Sequence, residues 1–141
     1  MSTSAIDRRA DRRHFRKTVF VYLALAFAAV AVNLIYGAFG HGVHAAAMTF
    51  MFLYPLVGGA LVFLLCGLRF PALRRVRGYR LCYNAYHSGI ATLTVSSFLH
   101  GILEIAGTSS PFTAGLYAFG AVCIVFALLV LFSQLPRRRH P

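Results

Sequence analysis

Glu104 is the only acidic residue beyond position 11 in a chain of 141 residues. It sits at the end of a long apolar stretch, where an ionisable side chain is costly enough to count as a functional candidate. His100 lies one helical turn before it, at i, i+4 and so on the same face. His41 and His44 stand at i, i+3 in a separate stretch. Three imidazoles and a carboxylate at one membrane depth could ligate Zn²⁺ or another divalent transition metal. The same residues could serve haem b. Bis-histidine ligation needs two imidazoles at matching depth on facing helices, and His44 and His100 each lie about one turn in from the same surface.

His87 is thirteen residues from His100, which puts the two about 140° apart around a helix. His87 therefore cannot share a ligand face with His100, and no second histidine in a helix matches its depth. Its neighbours in type are Tyr83 and Tyr86, and it shares a face with Thr94 and Gly101. The expected role is a hydrogen bond to a tyrosine hydroxyl or backbone carbonyl, with a proton relay or a quinone headgroup contact as the sharper alternative. No nucleophile elbow, phosphate-binding glycine loop or HExxH is present, and a lone carboxylate cannot supply two-carboxylate acid–base work. No catalytic residue is assigned.

These residues must be positioned by membrane-spanning helices. The chain is 59% hydrophobic and 12% charged, about half the charged fraction of a soluble domain. No Lys, Arg, Asp or Glu occurs in 18–68, 81–103 or 105–136. Since one span takes about 20 apolar residues, the first run holds two and the others one each. The expected fold is all-α, a polytopic antiparallel bundle of four transmembrane helices at about 18–37, 42–68, 81–106 and 112–132. A basic arm, 1–17, precedes the 18–133 domain and a basic tail, 134–141, follows it.

The net charge of +11 does not imply nucleic acid, because the basic residues only flank the apolar runs. Six precede the first span, five lie between the second and third, and three follow the fourth. Short Lys- and Arg-rich segments stay cytoplasmic, which places both termini inside a bacterial plasma membrane, with the arm and loops on anionic lipid headgroups. The apolar run from Val19 to Ile35 exceeds the h-region of a signal peptide, so an uncleaved first helix is expected. Tyr22 and Tyr36 near its ends suit the membrane interface.

In the second span, Tyr54-Pro55-Leu56-Val57-Gly58-Gly59 predicts a kink. Pro55 removes a backbone donor, and Gly58 and Gly59 permit close helix approach. The third span is small and polar nearly all round, with Gly89 and Gly101 as packing positions, and is expected to be the interior helix. The fourth reads as a lipid-facing wall. Cys66, Cys82 and Cys123 show no metal-type spacing and are expected to be packing thiols.

Gly40-His41-Gly42-Val43-His44, Tyr54–Gly59, and Tyr86-His87-Ser88-Gly89-Ile90-Ala91-Thr92-Leu93-Thr94 running on to Leu103-Glu104-Ile105-Ala106-Gly107-Thr108 together resemble a group of small four-helix membrane proteins of Gram-positive bacteria. The resemblance covers about half the chain and implies a topology, with no activity attached. His41, His87 and Glu104 match its pattern. Position 44 departs from it, since an aromatic residue is expected there, and that weighs against haem at His44 and His100.

Three functions follow as expectations: first a non-enzymatic accessory or assembly subunit of a membrane complex, then a haem- or metal-binding electron-transfer subunit, then a small transporter or channel component. The topology is directly testable. A cysteine at Ser109 should react with an impermeant thiol reagent added outside intact cells, and one at Arg75 should not. Labelling at Arg75 would overturn the four-span arrangement.

Overall fold

The computed structural model describes residues 3–39, 45–70, 73 and 78–134, with 3–11 and 134 described as backbone alone. All described elements are helical, and four helices are long and apolar enough to cross a membrane. Helix α1 runs Thr3–Phe39. The second span is assembled from α2, Ala46–Thr49, a π-helical segment, Tyr54–Leu61, and α3, Val62–Arg69. The third is α4, Tyr79–Ile105, and the fourth α5, Pro111–Gln134.

Two elements depart from the sequence expectation. The basic arm is no separate segment: its backbone is helical from Thr3 and continuous with the first span. Arg, Ala and Lys are good helix formers, and no Pro or Gly interrupts 3–36. At the junction Phe15 turns inward and is 2% exposed, so the arm is pinned to the bundle while Arg12, Arg13, Arg16 and Lys17 stay exposed. The second span is broken rather than a single kinked helix. Turn-type bonds from Met51 N to Met48 O (3.3 Å) and from Leu53 N to Phe50 O (3.0 Å) replace regular helix at 50–53. Pro55 brings no N–H, and its ring excludes the carbonyl four residues back. The chain yields before Pro55 and widens after it.

The backbones pack in sequence order: α1 against the second span, the first half of that span against α4, and α4 against α5. Glycines make the close approaches. A Cβ at Gly59 would overlap the Tyr22 ring, and one at Gly67 would come within 2.9 Å of Phe15 Cβ. A Cβ at Gly101 would come within 2.6 Å of Met48 Cβ, and one at Gly58 within 2.6 Å of Ile90 Cδ1. Gly89 and Gly120 face one another across α4 and α5, each within about 3 Å of the other's carbonyl oxygen had it a Cβ.

Burial is shared unevenly. In the most apolar stretch of each span, 33% of residues are buried in the second, 28% in the third, 22% in the first and 11% in the fourth. The fourth is the outward wall that its composition implied. The second span, not the third, is the most enclosed. α4 buries its small face, including Gly89, Ser96, Ser97 and Gly101, while Leu81 and Val95 stay more than half exposed. Polar groups are spent across helix contacts: Ser97 donates to Ala47 O (2.6 Å), Tyr86 to Gly58 O (2.7 Å) and Thr49 to Asn33 Oδ1 (3.5 Å). The Tyr86 bond matters because irregular backbone in hydrocarbon needs partners from elsewhere.

Leu at Gly89 or Gly101 should lower stability in detergent by about 1–3 kcal/mol through overpacking. Leu at Gly115, whose added Cβ would meet nothing within 4 Å, should leave it unchanged. Denaturation curves of the three variants check this.

Candidate functional site

Where the second span ends and α4 begins, the two backbones stand apart and aromatic rings fill the space. Phe15 and Tyr22 come from α1, Phe63 from α3, and Tyr79, Tyr83 and Tyr86 from α4. His87 lies among them. Tyr22 is 4% exposed and reaches the histidine because Gly59 leaves room for its ring to cross the second span.

Tyr22 Oη and His87 Nδ1 are hydrogen-bonded at 2.5 Å, with the planes of the two rings nearly parallel at 6°. Phe63 stacks parallel to the imidazole at 4.9 Å and 9°, and Tyr83 packs edge-on at 4.0 Å. One turn along, Tyr83 Oη pairs with Thr18 Oγ1 at 3.0 Å, and the Tyr83 ring also meets that of His14 at 5.4 Å. His87 Nε2 is shielded and has no hydrogen-bond partner, a cost of about 1–3 kcal/mol for a buried polar atom. Either tautomer leaves one donor unspent. If Tyr22 donates to Nδ1, the spare donor is Nε2–H; if Nδ1–H donates, it is the Tyr22 hydroxyl.

Tyr22 and His87 also head a groove between α1 and α4. Its volume is about 460 Å³, and Met51 and Pro55 of the second span form its floor. Val32 and Ala29 of α1 face Thr94 and Phe98 of α4 across it. The backbones of α1 and α4 make no close approach among the described residues, so the helices are bridged by side chains alone. Tyr22 with His87 closes one end, and Tyr36 packs edge-on against Phe98 at 5.7 Å at the other.

The other sequence-derived candidates divide. His41 and His44 lie outside the described residues. His100 and Glu104 are exposed, and the His100 ring meets that of Tyr117 of α5 at 6.3 Å. Among the described residues no three His, Cys, Asp or Glu side chains converge in a way that could hold a metal ion. His87 has its tyrosine, but the partner is Tyr22 of another helix, while Tyr86 serves Gly58 and Tyr83 supplies ring contact. Pro55 and Gly59 are buried in the π-helical segment, and Thr94 shares the groove with His87.

Tyr22, which the sequence assigns no role beyond suiting the interface, is buried at the centre of the cluster. The signal for it was spacing rather than hydrophobicity: Phe15, Tyr22 and Ala29, seven apart, are all buried on one stripe of α1. Phe63 carried no such signal. The chain matches no family model, no curated protein and no solved structure.

A double-mutant cycle tests the central bond. Tyr22→Phe and His87→Phe should each destabilise, and together should cost less than their sum, with a coupling of roughly 0.6–1.7 kcal/mol as found for hydrogen bonds between membrane helices. Additive losses would mean that the pair contributes nothing.

Proposed function

We propose that the protein is a non-enzymatic accessory or assembly subunit of a bacterial plasma-membrane complex, an antiparallel four-helix bundle with both termini cytoplasmic. The orientation rests on the fourteen basic residues, which flank the spans on one side only. The exposed Arg12, Arg13, Arg16 and Lys17 suit contact with anionic headgroups there.

One observation carries the partner. Asn84 and Ser88 are exposed on the outer face of α4, at i, i+4, within a membrane span. Amide and hydroxyl groups turned toward lipid find no partner in hydrocarbon, whereas against a neighbouring helix they become interhelical hydrogen bonds, and small side chains let the backbones close. The occupant that this stripe fits is a transmembrane helix with small and polar residues on its facing side.

Ser88→Cys should cross-link in native membranes to a different and larger membrane protein, and Leu at both 84 and 88 should abolish that association while the four-span protein still inserts. Cross-linking only to a second copy of this chain, or association undiminished in the Leu variant, would refute the reading.

A further inference from the structure

We propose that the groove between α1 and α4 binds a lipid-soluble molecule of the quinone class: one apolar chain joined to a neutral ring with carbonyl oxygens, the ring lying at Tyr22 and His87. The slot is elongated. Its lining on α1 runs from Val21 to Val32 and on α4 from His87 to Phe98, about 16 Å of helix in each case, with the small Ala28, Ala29 and Ala91 among the wall residues. That shape accepts an extended chain running parallel to the helices.

The chemistry at its head selects the ring. No charged residue lines the groove, so a phosphate, carboxylate or ammonium head would lose its hydration without a counter-ion. His87 lies about 12 Å along α4 from Tyr79, deeper than a phospholipid headgroup sits when its chains fill the hydrocarbon. What the head of the slot does offer is the one unspent donor of the Tyr22–His87 pair. A carbonyl oxygen arriving beside Tyr22 accepts a hydrogen bond from the Tyr22 hydroxyl, with Nδ1–H then donating to the tyrosine oxygen. The tautomer exchange lets the pair serve a ligand without breaking its own bond. It also removes the buried unpaired N–H at Nε2, leaving only a lone pair there. Thr94, whose hydroxyl donates to Ile90 O at 2.8 Å, adds a second polar point along the wall.

The test uses the full-length protein in detergent with a decyl-substituted benzoquinone as probe and 1-decanol as the comparison chain, read by calorimetry. The quinone should bind saturably at one site, at least tenfold more tightly than decanol. Tyr22→Phe should weaken the quinone about 3–10-fold, the loss of one hydrogen bond, and leave decanol unchanged. Ala91→Leu fills the slot from an exposed position one turn along α4 from His87, and should abolish binding while helicity and elution volume are retained. Absence of saturable quinone binding, equal affinity for decanol, or full affinity in a folded Ala91→Leu protein would each overturn the proposal.

Discussion

A missing side chain at Gly59 governs the arrangement of this molecule. Any Cβ there would occupy the space of the Tyr22 ring. Because the space is free, a residue of the first helix passes over the second and hydrogen-bonds to the third. The ring it carries then becomes part of the stack with Phe63 and His87. The Pro55 break lies one turn away, and the π-helical widening that follows it is what sets Gly58 and Gly59 toward Ile90 and Tyr22. Backbone irregularity, glycine and aromatic reach form one device.

The two sides of the bundle are held by different means. On one, α4 and α5 meet closely through Gly89 and Gly120, with Ile124 packed over the first and Leu93 over the second, so that dispersion between closely spaced groups holds them. On the other, α1 and α4 are kept apart and joined by tyrosine, histidine and phenylalanine at the two ends. Close contact leaves no volume, whereas bridging by long side chains leaves a slot. The lateral groove is thus a geometric consequence of using rings rather than glycines as the connector.

Much of the architecture was legible in the sequence, since span number and limits follow from charge-free runs that lipid demands. The packing positions Gly89 and Gly101 were legible too, because small residues in a span have few uses besides close approach. The identity of the buried faces was less so. In hydrocarbon both sides of a helix are apolar, so hydrophobic periodicity fades, and Tyr22 looks like any interfacial tyrosine until its seven-residue relation to Phe15 and Ala29 is noticed. The break at 50–53 was visible only as a proline, not as the turn that precedes it. The histidine spacing carries less: His100 and Glu104 share a face, but the ring that His100 meets belongs to Tyr117 of α5, a contact with no trace in ligand spacing.

The Tyr22–His87 bond joins residues 65 positions apart, and that separation has a meaning during synthesis. At about 5–20 residues per second, the first helix resides in the bilayer for roughly 3–13 s before its histidine emerges. Throughout that interval the Tyr22 hydroxyl has only lipid, water at the interface or the membrane insertion machinery for company. Contacts of the first two spans at Gly59 and Gly67 need no later residue, whereas the aromatic cluster can close only once the third span is present. The groove therefore cannot take its shape until the third span has been made.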